Sequence, residues 1–240
     1  MLDYGCLKQD ERKFVALTGI TPAEFQRLLP AFTRASTRAF PSPTTQAGKP
    51  RQRRPGAGRK AVLRRPEDKL LFILVYQKAY PRQALLGSLF DLSQSRVNRW
   101  VHRLLPILVR ALDRLGFLPE RNPSPFSRHE RRQGEPPELI IDGTERRRQR
   151  PKNQEKQALH YSGQQKAHSD KNVVLVNAHS KRVSYLSGTD AGKMHDKRVA
   201  EAENIRSPRR STLDKDSGFQ GYEPRVQRTC QPKKSHGKGH

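Results

Sequence analysis

Apolar residues in the first half of the chain recur every three or four positions, which is the period of helices that bury one face. In "TPAEFQRLLPAF" the repeat falls on Phe25, Leu28, Leu29 and Phe32. Thr21 stands where an N-cap belongs, Pro22 takes the first helical position, and Glu24 can return a carboxylate to the cap. From Thr33 to about Arg65 the pattern lapses into proline, glycine, serine, threonine and basic residues, so 33–65 reads as a flexible basic loop. Its "RRPGAGRK" resembles arms that lay arginines in a minor groove, but lacks their tight core, and a solvated linker is the better reading. Periodicity returns at Pro66, where "PEDKLLFILVYQKAY" starts with good first-turn residues and carries a broad apolar face.

The next stretch has its own grammar. A short helix over Gln83 to Phe90 meets a tight turn at Asp91-Leu92, and Ser93 can cap a second helix from Gln94 to about Leu105. Leu85 and Leu89 before the turn, with Val97, Val101 and Leu104 after it, give helix-turn-helix spacing. Opposite that apolar seam the second helix presents Gln94, Ser95, Asn98, Arg99 and Arg103, whose amides and guanidinium groups suit base edges and phosphates. A solvated helical hairpin would show the same apolar pattern, so the charge considered below has to separate the two. Pro106 is expected to kink or restart the helix, and a further helix from Ile107 to Leu115 should stop at Gly116.

After a linker at 119–137 the period changes from helix to strand. Leu139-Ile140-Ile141 reads as a buried strand ending on Asp142, followed at once by Arg146, Arg147, Arg148 and Arg150. "KNVVLVNAH" and "RVSYLS" read as two strands of a hairpin, "AGKMHDKRVAEAEN" favours helix, and "STLDKDSGF" looks like a short strand delivering Asp216 before a turn at Gly218. The expected class is α + α/β. Residues 1–118 form a helical region with a helix-turn-helix, and 138–240 form an incomplete ribonuclease-H-like mixed sheet.

Charge sharpens this picture. Lys and Arg number 48 against 23 Asp and Glu, a net +25 that opposes compaction and favours a polyanionic partner; nucleic acid is the natural candidate. Cys6 and Cys230 are far apart and unpaired by any CxxC spacing, which argues against a disulfide framework or a four-ligand zinc site. No stretch has the length of a signal core or a membrane span, so no membrane partner and an intracellular home are expected.

The aspartates carry the chemistry. A strand-end aspartate by itself is commonly a turn former. In a ribonuclease-H-like sheet, however, Asp142 and Asp216 would converge from neighbouring strands, with Asp214 as a rival for the second place. Convergent carboxylates hold divalent ions about 4 Å apart, which activate the nucleophile and steady the leaving oxygen of a phosphodiester. Mg²⁺, or Mn²⁺, suits such oxygen ligands. Asp190 and Asp196 read as loop and helix-cap residues, although His195-Asp196 could lie near the site; Glu145 follows Asp142 by three residues and could approach a metal, but nothing singles it out.

Taken together, "FVALTGITPAEF", "LFDLSQSRVNRWVHRLLPIL", "LIIDGTERRRQRPKNQEKQALHYSGQQKAHSDKN", "YLSGTDAGKMHDKR" and "LDKDSGFQGYEP" resemble bacterial insertion-sequence transposases of the DDE class, in the branch related to Harbinger-type elements. The resemblance spans nearly the whole chain. It implies a helix-turn-helix that binds the element's terminal inverted repeats, and a nuclease that cuts double-stranded DNA and joins it to target DNA with Mg²⁺ or Mn²⁺. It also implies a homo-oligomer in a transposition complex, at the nucleoid in the bacterial cytoplasm. By motif match the first two catalytic and metal-binding aspartates fall on Asp142 and Asp216, and the arginines after Asp142 would meet DNA. The family's third carboxylate, a helical glutamate downstream, has no counterpart here, since Glu223 lies in a turn too near Asp216. A C-terminally truncated copy with impaired cleavage is therefore expected, with a non-catalytic repressor of its own element as the alternative.

Overall fold

Thr21 and Glu24 cap the first long helix as the sequence suggests. The Thr21 N–H donates to Glu24 Oε2 at 2.8 Å, and the Glu24 N–H donates to Thr21 Oγ1 at 3.2 Å. The computed structural model describes residues 2–39, 49–50, 61–123, 137–205 and 207–232, and the chain divides into two compact units at Phe117/Leu118. In the first unit α1 (Tyr4–Leu7) and α2 (Glu11–Thr18) precede α3 (Pro22–Ala39). There follow α4 (Pro66–Ala79), α5 (Gln83–Phe90) and α6 (Gln94–Arg114). α4 is the centre: Leu70 through Val75 are all buried, as expected of a helix surrounded by others. Phe14, Phe25, Phe32, Phe72, Phe90, Val97 and Leu104 complete that core.

Three expectations need correction here. The loop expected from Thr33 starts later, because α3 runs on to Ala39 with Ser36 buried against the core; positions 40–48 and 51–60 of that loop lie outside the described residues. Leu85 is exposed, and α5 instead buries Leu86 and Phe90. Pro106 neither breaks nor restarts α6, which is one helix of 21 residues. The buried seam Val97, Val101, Leu104, Ile107, Leu108 and Ala111 continues across the proline, so packing offsets the one backbone bond it removes.

The second unit holds a seven-stranded sheet. β1 (Glu138–Arg147) leads through α7 (Gln154–His160) and β2 (Tyr161–Ser162) into the long β3 (Ala167–Asn177). β4 (Val183–Leu186), β5 (Asp190–Ala191), α8 (Asp196–Glu203), β6 (Thr212–Lys215) and β7 (Arg228–Cys230) follow. β1 pairs antiparallel with β3 and parallel with β6, and β6 pairs parallel with β7. β4 lies antiparallel on β3, as the hairpin reading required. The main order β4-β3-β1-β6-β7, three antiparallel strands followed by two parallel to the first, is a ribonuclease-H-like mixed sheet. Val199 and Ala200 of α8 close one face, packed with Leu139, Ile141, Val173, Leu175 and Leu213. Residues 124–136 of the expected linker lie outside the described residues. Among the described residues no helix is long and apolar enough to cross a membrane.

Candidate active site and nucleic-acid interface

In the first unit, α5 and α6 meet at a left-handed turn on Asp91, φ 52°. Leu92 N–H donates to Gly87 O at 2.9 Å, and a Cβ on Gly87 would collide with the Leu92 carbonyl. Glycine at that position is what lets the two helices approach. Ser93 stands at the N-cap of α6, but its hydroxyl faces Ser95 Oγ at 3.3 Å and caps nothing, contrary to expectation. Gln94, Ser95 and Arg99 are exposed and Asn98 is half-buried, and these four line a cleft of about 490 Å³ together with Gln83. Arg103 is exposed one turn further along. Gln83 was not singled out in the sequence, because its place beside α6 depends on the angle of the turn.

In the second unit the strand carrying Asp142 does not end there. β1 continues to Arg147, paired with β3 from Gly143↔Val173 to Arg147↔Ser169. What ends is the neighbour: the β1/β6 ladder stops at Ile141↔Lys215, and Asp142 and Asp216 each follow that last pair by one residue. Both are exposed. Asp142 Oδ1 accepts the Gly143 N–H at 2.8 Å, and Asp216 Oδ1 accepts the Gly218 N–H at 2.9 Å. Asp214 lies within β6, half-buried, paired with Ile140 and Cys230.

A second group of charges occupies the α8 side of the sheet. Lys171, almost wholly buried, places Nζ 3.2 Å from Glu145 Oε1 and 3.0 Å from Asp196 Oδ1. Glu145 also accepts from Ser169 Oγ at 2.7 Å and Ser162 Oγ at 3.2 Å. Burial would raise the Glu145 carboxyl, but hydrogen bonds from Ser169, Ser162 and Lys171 outweigh it and hold the group below its ordinary range. Glu145 therefore has partners of its own on the face away from Asp142. Asp196, the first residue of α8, reaches the backbone beside both strand-end aspartates. A Cβ on Gly143 would overlap its carboxylate, and one on Gly218 would lie 3.0 Å from its Oδ2 and 3.1 Å from Asp216 Oδ1.

The basic run after Asp142 divides. Arg146 Nη2 donates to Asn172 Oδ1 at 2.8 Å, Arg148 Nη1 to Asp170 Oδ1 at 2.8 Å, and Arg150 uses Nε and Nη2 on Gln157 Oε1 at 3.0 and 2.8 Å. Arg147 is exposed. Arg146 shares the Asp142 face of β1, and the two-residue alternation puts Thr144 between them. Glu223 pairs with Lys215 at 2.9 Å, away from Asp216.

No three His, Cys, Asp or Glu side chains among the described residues are gathered tightly enough to hold an ion unaided. The donors nevertheless fit a hard divalent cation. All are carboxylate oxygens, and Asp196 Oδ1 is buried with no hydrogen bond of acceptable geometry, its 3.0 Å approach to Lys171 being an ion pair only.

Family comparison agrees with both halves. Residues 62–114 match the helix-turn-helix of DDE superfamily endonuclease, and residues 141–237 match the DDE superfamily endonuclease itself. No curated protein and no solved structure matches the chain. One match takes in α4 to α6, the other takes in Asp142 and Asp216, and members of this superfamily use divalent metal ions. The chain belongs to the DDE superfamily endonucleases, transposase-like DNA-binding nucleases.

Proposed function

We propose that the chain is the transposase of an insertion sequence, which reads the element's terminal inverted repeats with α6 and cuts DNA at Asp142 and Asp216. One observation carries this reading: two exposed aspartates stand side by side where the β1/β6 ladder ends. Mg²⁺ or Mn²⁺ held by Asp142 and Asp216 would supply activation of the attacking oxygen and neutralise charge on the leaving one. The residues of the chain do the rest. The Gly143 and Gly218 amides orient the carboxylates through one oxygen each, leaving the other oxygen for the ion. Arg146, braced by Asn172 and Thr189, and Arg148, braced by Asp170, offer fixed positive charge to phosphates. Arg147 and Arg150 extend that basic edge, and Gln94, Ser95, Asn98, Arg99 and Arg103 grip the repeats. Copies would pair on two element ends in a transposition complex, at the nucleoid.

Cleavage by this chain is expected to be weak. Among the described glutamates nearest the site, Glu145 is held by Lys171 and two serines, Glu223 by Lys215, and Glu203 by Tyr185 and the Gly188 amide. None stands free beside Asp142. The test is Mn²⁺-dependent nicking of DNA carrying the sequences that flank the gene. Asp142→Asn should abolish whatever nicking is seen, and unchanged nicking would remove Asp142 from the mechanism.

A second reading follows from the contrast between an open base-reading face on α6 and this sparse carboxylate set: a repressor that occupies the element's ends without cutting. In a gel shift, Asn98→Ala or Arg99→Ala should weaken binding to those ends by roughly 1–3 kcal/mol if the side chain touches a base. Equal binding to random DNA would refute it.

A further inference from the structure

Asp142 and Asp216 are each followed, within two residues, by a glycine whose missing side chain leaves room for the same third carboxylate. Asp196 fills it. Its Oδ1 occupies the space that a Cβ on Gly143 would take. Its Oδ2 and Asp216 Oδ1 both lie about 3 Å from the point where a Cβ on Gly218 would stand. Three carboxylates, two from the end of the β1/β6 ladder and one from α8, are thus brought to adjoining stretches of backbone.

An acid in the first turn of a helix ordinarily stabilises that helix, by accepting its free amides or by opposing its dipole. Asp196 does not cap its helix by hydrogen bond: the N-cap residue His195 makes no side-chain cap bond either. Instead its carboxylate turns toward β1. Its Oδ1 is cut off from water, accepts no hydrogen bond, and shares one ammonium group, Lys171, with Glu145. A buried charged oxygen without hydrogen bonds is costly. Lys171 offsets one of its two carboxylates, so a negative charge remains beside Asp142 and Asp216 within a chain of net +25. A divalent cation would reverse the sign of that repulsion.

We propose that Asp196, positioned by Lys171, is a further carboxylate of the divalent-ion site, reaching it between Gly143 and Gly218. The proposal rests on the assignment of Asp142 and Asp216 to that site. Lys171 is a positioning residue: it holds Asp196 against β1 while its other contact, Glu145, keeps it buried in the sheet. Gly143 is then a requirement of the site, because any side chain there would push Asp196 away.

The experiment needs no DNA and no turnover. Mn²⁺ binding to the full chain is titrated by following free Mn²⁺ in electron paramagnetic resonance, with circular dichroism to confirm the fold of each variant. Asp142→Asn and Asp216→Asn should weaken binding, and Asp196→Asn should weaken it by roughly tenfold or more. Glu201→Gln, on the same helix but paired with Lys197, should bind as the unchanged chain does. Gly143→Ala keeps every carboxylate and displaces Asp196, so it should weaken binding too and decides the matter if Asp196→Asn does not fold. Unaltered affinity in Asp196→Asn and Gly143→Ala, with loss in Asp142→Asn, overturns the proposal and makes Asp196 a strut between α8 and β1. Unaltered affinity in Asp142→Asn and Asp216→Asn overturns the underlying assignment instead.

Discussion

Glu145 shows how one residue can be read wrongly from its spacing and rightly from its neighbours. Three positions after Asp142 it looks available to an ion, yet alternation along β1 turns it to the other face, into Ser162, Ser169 and Lys171. Burial opposes its charge and the three donors favour it more strongly, so its folded value lies below the ordinary 4.5. A depressed carboxylate stabilises the fold fully above its unfolded value, and that contribution is lost as pH falls through the folded one. Glu145→Gln should therefore cost about 1–3 kcal/mol at pH 7. The gap to the unchanged chain should close in acid, as pH falls through the folded value. Urea unfolding at neutral pH and near pH 3 checks this, and a gap that ignores pH would show that the charge of Glu145 contributes nothing.

Among the elements, the α5–α6 pair depends most on a single position. A methyl group on Gly87 has no room against the Leu92 carbonyl, and Val97 stands 3.6 Å behind it. Gly87→Ala should force the helices apart and destabilise the first unit by about 1–3 kcal/mol, read as a lower thermal midpoint with weaker DNA binding; an unchanged midpoint would mean that the turn yields freely. This pair was legible in the sequence because each helix carries its own apolar period and the turn residues sit between them. α1 and α2 were not: α1 has 4 residues, and α2 buries Phe14 and the polar Thr18, so no apolar period marks it. The extension of β1 past Asp142 was also hidden: Gly143 to Arg147 is polar, and its pairing with β3 comes from backbone rather than burial. The positions of Asp142 and Asp216 were legible from the apolar run before the first and the turn glycine, Gly218, after the second. That Asp196 reaches Gly143 could be seen only once α8 was docked, for nothing local to "GKMHDKR" says which strand it touches.

At the scale of the molecule, charge is unevenly spent. The chain as a whole is strongly basic, but acids gather where the β1/β6 ladder ends. Arg146 lies further along β1 on the same face as Asp142, and Arg148 follows just beyond the strand. A phosphate backbone is attracted by the general field and by those arginines, while the acids repel it unless a cation stands between. Each unit contributes one half of this task, recognition in the first and phosphodiester chemistry in the second. The place of the chemistry follows from the path of the chain. From β1 the polypeptide leaves to one side to form β3 and returns on the other side as β6. β1 is therefore a topological switch point, where connections diverge instead of crossing overhead, and such points leave a crevice beyond the carboxyl ends of the strands. The overhang of β1 past β6 deepens that crevice, because among the described residues one edge of its backbone has no strand partner. The loops around that crevice lie beyond the strand pairing, so they can change in length without disturbing the sheet that positions the two aspartates.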